Sequence, residues 1–282
     1  MKEVSCTKGF LGLTSKEVTT SAAKRVLIIP FGFEYEEDSG CRQGPQAIIA
    51  ASQGMNLFDE RLGCYPYQQI NIKTIKAIPP GKRVRQAIQL MQQWQDSLWQ
   101  QGQFALILGG EHRLMPDILS PLFTNGEELA FIHLGAQGTI LHELALKHPR
   151  LQLLGLGLRN IDQRFYQLAQ REKDRLRLYY AHNKATWDWQ SINDFLRKKR
   201  VYLSISVNFF DMSLLPATPS PEPGGLMWDE SMACIDALAS IINPVGACLC
   251  DFSPLEHVLS YDLLVAKFVY RLLTSLFVRS GC

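Results

Sequence analysis

Charge of one sign is scarce in this chain. Lysine and arginine number 29 against 27 aspartates and glutamates, a net charge of +2 over 282 residues. So small a surplus gives no electrostatic case for a nucleic-acid or anionic-membrane partner, and neither is expected. Paired cysteine motifs are also missing. The seven cysteines, Cys6, Cys41, Cys64, Cys234, Cys248, Cys250 and Cys282, are scattered, odd in number and without CxxC spacing. That argues against a disulfide framework or a structural zinc site, and a reducing cytoplasm is the expected location. The N-terminus has no apolar core followed by a small-residue cleavage site, so no signal peptide is expected. The longest apolar stretch, 263–278, is broken by Lys267 and Arg271 at helical spacing, the pattern of a buried helix and not of a membrane span. No Pro/Gly/Ser-rich linker or low-complexity run divides the chain. One domain over 25–282 is expected, preceded by an N-terminal extension over 1–24.

With 46% hydrophobic residues, the chain can bury a full α/β core. Short aliphatic or β-branched runs at 25–31, 104–108, 129–134, 151–156, 176–181, 201–208 and 247–252 read as strands, with a further one near 70–75. Between them lie amphipathic stretches. Val84, Ile88, Met91, Gln95 and Leu98 fall on one stripe closed by Gly102, and similar periodicity runs through 161–173, 187–198, 229–241 and 261–278. The alternation predicts a three-layer α/β/α domain around a parallel sheet of about eight strands. Trp94 and Trp99 share one predicted helix, where they either pack on the sheet or lie in an interface. Cys248-Leu249-Cys250 reads as core packing along a buried strand.

In such sheets ligands sit beyond the carboxyl ends of the strands, so the residues just after each strand carry the functional reading. After 104–108 comes Gly109-Gly110-Glu111-His112, two glycines permitting a tight turn that sets an acid and a histidine at the sheet edge. Taken alone, a histidine at a loop such as His112 is more often a hydrogen-bonded structural residue than a ligand. After 201–208 come Phe209-Phe210-Asp211 and a proline-rich loop, Leu215 to Leu226, which is either a rigid surface loop or the wall of a pocket.

Taken together, five segments resemble the arginase/agmatinase (ureohydrolase) family, in family order over about 25–270. They are Cys41-Arg42-Gln43-Gly44-Pro45, Gly109-Gly110-Glu111-His112, His133-Leu134-Gly135-Ala136-Gln137-Gly138-Thr139, Ser204-Ile205-Ser206-Val207-Asn208 with Asp211, and Pro221-Glu222-Pro223-Gly224-Gly225-Leu226. His133 ahead of the second motif makes the pattern more like agmatinase than arginase. The resemblance implies hydrolysis of a guanidinium carbon by water bridged between two manganese ions, held by four aspartates and two histidines. Most of those ligands are replaced. Gly-Gly-Asp-His is present as Gly-Gly-Glu-His, leaving His112 as the one retained ligand. Asp-Ala-His-x-Asp reads Gly135, Ala136, Gln137, Gly138, Thr139, and Ser-x-Asp-x-Asp reads Ser204, Ile205, Ser206, Val207, Asn208.

Asp211 matches a third, structural aspartate. The family's guanidinium-gripping glutamate falls near Asp251-Phe252-Ser253-Pro254, with Pro254 in its place. Only about a dozen residues join Thr139 to Leu151, where the family has a longer loop with a proton-shuttling histidine; His142 fills that role by position or is a helix-face residue. Clustered carboxylates without cations would repel one another at a high desolvation cost, so the replacements form a coherent set. The expectation is a member without metal cofactor, non-catalytic or repurposed. Its pocket would be lined by Glu111, His112, Gln137, Ser206, Asn208 and Asp211, with Glu222 nearby, and would suit a small polar ligand. A homo-oligomer or a complex with another protein is expected. The alternative is an active agmatinase-like hydrolase with a rebuilt metal site drawn from Glu111, His112, Glu256 and His257.

Overall fold

The computed structural model describes residues 9–13, 24–35, 39–79, 83–124 and 128–278. Most of the expected N-terminal extension, with Cys6 and Cys282, lies outside them. Eight strands form one sheet: β1 (Lys24–Phe31), β2 (Ile70–Thr74), β3 (Phe104–Gly109), β4 (Leu129–Leu134), β5 (Gln152–Leu158), β6 (Leu176–Tyr180), β7 (Arg200–Ser206) and β8 (Asn243–Cys250). Their order is β2-β1-β3-β8-β7-β4-β5-β6, and every pairing is parallel. A parallel sheet needs cover on both faces, and the central strands show it in alternation. Phe104, Leu106 and Leu108 enter one core cluster while Ala105 and Ile107 enter the other.

On the first face lie α1 (Gly44–Ser52), α6 (Trp189–Leu196), α7 (Trp228–Ile241) and α8 (Leu259–Phe277), with α8 packed on both α1 and α7. On the other lie α2 (Val84–Gln100), α3 (Met115–Thr124), α4 (Thr139–Lys147) and α5 (Gln163–Arg171). The result is the expected three-layer α/β/α architecture. No helix of the described residues is long and apolar enough to cross a membrane. Phe10 and Leu11 are buried, their amides bound to Thr74 Oγ1 and Ser52 Oγ (both 2.8 Å), so this short segment packs on β2 and α1.

Three helices escaped the periodicity reading. α1 opens on Gly44-Pro45, α3 contains Pro116 and Pro121, and α4 starts inside the motif at Thr139. β7 ends at Ser206, two residues earlier than expected, because Val207–Phe209 turns as a short 3-10 helix. β8 ends at Cys250, where Asp251 takes φ 64°, a left-handed conformation costly for a non-glycine residue. Cys64 is disulfide-bonded, a departure from the expectation of unpaired cysteines, whereas Cys41, Cys234, Cys248 and Cys250 are free and buried. Trp94 and Trp99 pack half-buried against the second core cluster, and the Arg200 guanidinium lies 3.8 Å from the centre of the Trp99 ring.

Candidate functional site

Four neighbouring strands, β3, β8, β7 and β4, end beneath a cavity of about 340 Å³. Glu111, His112 and Arg113 enter it from beyond β3. From β4 and the turn after it come His133, Gln137 and Thr139, while α4 supplies Glu143 at the rim. β7 supplies Ser206 and Asn208, the proline-rich loop supplies Pro219 and Ser220, and Asp251 stands at the end of β8.

The β3–β8 side is charged and bonded to itself. Asp251 accepts from the His112 amide (2.8 Å) and the Ser206 hydroxyl (2.6 Å), and lies 3.7 Å from His112 Nδ1. Its strained φ turns the carboxylate back over the sheet edge toward these donors. Glu111 accepts from the Tyr35 amide (2.9 Å) and stands 3.6 Å from the Arg113 guanidinium. His112 Nε2 faces Ser204 Oγ at 2.5 Å, and Ser204 in turn takes the Cys248 thiol at 3.4 Å. Burial opposes charge on His112, but the bond to Cys248 and the charge of Asp251 outweigh it and raise the pKa. Cys248 is buried too, yet its bonds with Cys250, His112 and Ser204 pull the thiol down, while Cys250 is pushed up.

Apart from Glu143 at the rim, the β4–β7 side is neutral. Asn208 Oδ1 accepts from the Ala136 amide (3.0 Å), tying the two strand ends together. The buried His133 ring packs against His112 at 4.7 Å between centroids, with Nε2 3.1 Å from the Gln137 carbonyl and no partner for Nδ1. Burial and then the neighbouring His112 hold its pKa well below the ordinary range, so it is a neutral imidazole. A Cβ placed on Gly135 would come within 2.6 Å of His133 Cε1 and nearer still to Nε2. The ring therefore occupies the space where a side chain at 135 would begin.

Several expected residues stand elsewhere. Asp211 is not in the lining. It accepts from Ser213 N (2.9 Å), Ser213 Oγ (2.6 Å) and Gly225 N (2.8 Å), bonds that lock the base of the proline-rich loop and bring its pKa to about 2. Glu222 accepts from Asn160 Nδ2 at 2.5 Å, away from the cavity. Pro254 does not face the pocket; Asp251, three residues earlier, does. His142 stacks on Phe165 (5.1 Å) and stands 3.5 Å from Asp162, the helix-face alternative of the two readings. Glu256 and His257 are almost fully exposed, 3.4 Å from one another and outside the cavity lining. Gly135 contributes only its backbone, whose amide bonds Leu156 O (3.2 Å).

Two further residues shape the site without a signal in the sequence. The left-handed turn that aims Asp251 leaves no mark in sequence. Arg159 follows β5 and donates to five backbone carbonyls, those of Gly157 (3.0 Å), Asn208 (2.7 Å), Phe210 (3.2 Å), Glu222 (2.9 Å) and Pro223 (2.9 Å). It fastens the proline-rich loop to the end of β7, and its partners come from distant parts of the chain.

A family model described as the arginase family matches residues 23–274. The chain belongs to the arginase family. It is 24% identical over 284 residues to an N(1)-aminopropylagmatine ureohydrolase from Synechocystis sp., covering 93% of this chain and 92% of the relative. It is 25% identical over 264 residues to an agmatinase from Bacillus anthracis, covering 87% and 89%. Among solved structures, the agmatine ureohydrolase of Thermoplasma volcanium superposes with a TM-score of 0.75 at 18% identity, covering 97% of this chain and 95% of that one. At that identity the superposition speaks for the arginase-like fold alone.

Proposed function

We propose that this arginase-family protein has given up the dinuclear manganese site and works as a non-catalytic or repurposed member, binding a small polar molecule in the cavity above β3, β8, β7 and β4. The observation that carries this reading is His133. Its imidazole fills the space beside Gly135, where the resemblance places a metal-binding aspartate. The surrounding donors are also spent within the protein. His112 Nε2 is engaged by Ser204, Ser206 donates to Asp251, and Asn208 Oδ1 accepts from the Ala136 amide. Manganese selects carboxylate and imidazole ligands, and a set of glycine, glutamine, threonine, serine and asparagine does not suit a pair of such ions.

What the cavity offers instead is a polar wall with separate charged and neutral halves, sized for a small molecule. A cytoplasmic protein, self-associated or joined to another chain, is the accompanying proposal. Elemental analysis after incubation with excess Mn²⁺ and desalting tests the reading. A value near zero metal atoms per chain is expected, with no urea released from agmatine or arginine. About two atoms per chain, or urea release, would overturn it and favour an active hydrolase with an altered site.

A further inference from the structure

Most buried polar groups around the cavity above β3, β8, β7 and β4 are committed to the protein, and Asn208 is the informative exception. Its Oδ1 accepts from the Ala136 amide at 3.0 Å, which fixes the orientation of the side-chain amide and leaves Nδ2 as the donor turned the other way. Only 3% of the residue is exposed. Nδ2 nevertheless has no acceptor among the described residues and, unlike His133 Nδ1, it is not sealed off from the cavity that Asn208 lines. A buried amide donor without an acceptor is costly, so this point of the cavity floor calls for an acceptor atom.

Acceptors stand close by. Ser206 Oγ donates to Asp251 Oδ2 at 2.6 Å and keeps its own lone pairs, while the Asp251 carboxylate, which also accepts from the His112 amide at 2.8 Å, has capacity for a further donor. Ser206 and Asn208 are two residues apart, so their Cα atoms stand no more than about 7 Å from one another. A planar amide flanked by two hydrogen bonds of about 2.9 Å each bridges such a span. Pro116, Ile140 and Pro219 add apolar lining to the same cavity.

We propose that the ligand of this cavity ends in an uncharged carbamoyl group, –C(=O)NH2, on a short aliphatic chain, an inference that rests on the metal-free reading above and names the ligand class. The carbonyl oxygen accepts from Asn208 Nδ2, the NH2 donates to Ser206 Oγ and Asp251, and the chain lies against Ile140 and Pro219. A guanidinium or an ammonium carries donors alone and leaves Asn208 Nδ2 unsatisfied. A carboxylate supplies the acceptor but meets Asp251, Glu111 and Glu143 as like charges.

Calorimetric titration of the EDTA-treated full chain with butylurea, butylguanidinium and butylamine tests it. Saturable binding of one butylurea per chain is expected, with each cationic analogue weaker by about tenfold or more. Asn208→Asp keeps an oxygen for the Ala136 amide and removes the donor, so butylurea should weaken by about tenfold and butylguanidinium should become the tighter ligand. In the unaltered chain, the carbonyl stretch of 13C-labelled butylurea should move to lower frequency on binding, a readout that needs no variant to fold. No saturable binding of butylurea at millimolar concentration, butylguanidinium bound as tightly by the parent chain, a preference unchanged in Asn208→Asp, or an unshifted carbonyl stretch overturns the proposal. Parallel samples loaded with Mn²⁺ and desalted separate the two levels: near-zero metal confines such a failure to the ligand class, whereas about two ions per chain overturn the metal-free reading and this inference with it.

Discussion

The two halves of the principal cavity solve one problem in opposite ways. Beyond β3 and β8 the chain keeps charge, because Glu111 and Asp251 each find backbone or hydroxyl donors and a neighbouring cation or imidazole. Beyond β4 and β7 it keeps none except Glu143 at the rim, and neutral Asn208, Gln137 and His133 close the space through hydrogen bonds and packing. A buried carboxylate persists only where donors converge on it. Beside the neutral half, Arg159 donates to backbone carbonyls instead, and the Asp211 carboxylate accepts from Ser213 and the Gly225 amide at the base of the loop.

That division can be broken by substitution. The largest effect is expected for Arg159→Ala, which leaves the carbonyls of Asn208, Phe210, Glu222 and Pro223 without their shared donor; a loss of about 3 kcal/mol in urea-unfolding stability is expected. A loss near zero would show that the neutral half stands without this clamp. Gly135→Asp comes next. It forces the His133 ring out of its place and brings back a carboxylate with no matching donor, at a cost of about 2 kcal/mol. Adding His133→Ala should recover part of that cost, and a double variant no more stable than the single one would contradict the filling role of His133.

The smallest effect is expected for Asp211→Asn. The Asp211 carboxyl titrates near 2 in the folded chain against an ordinary value of 3.8, so its folded pKa is depressed. Its contribution is present above about pH 4 and disappears as pH falls toward 2. The partly exposed position limits the difference to less than about 1 kcal/mol at neutral pH, and unfolding curves of the two proteins should converge at pH 2. Curves separated by the same amount at both pH values would remove the carboxylate's charge from the account.

All eight strands were legible because a parallel sheet covered on both faces leaves aliphatic runs in the chain, of which β4 is a clear case. β7 and β8 were read with their ends misplaced, since a 3-10 turn at Val207 and a left-handed residue at Asp251 carry no hydrophobic signature. α3 was missed because prolines at 116 and 121 argue locally against a helix that packing on α2 and α4 sustains. Within the site, motif order brought out Glu111, His112, Gln137, Thr139, Ser206 and Asn208, all of which line the cavity. It placed Asp211 there as well, although that side chain turns to its own loop, and it looked to Pro254 where Asp251 stands.

The sequence by itself determined the layer architecture, the succession of strand ends and the residue types offered at them, because periodicity and motif spacing are local properties of the chain. Only the tertiary structure decided which of those groups meet. Asp251 reaches His112 across 139 residues and Arg159 reaches Asn208 across 49. His133 takes the space beside Gly135 through a ring orientation fixed by close packing against His112, and a partner chosen by packing in three dimensions is not written in the spacing of either residue.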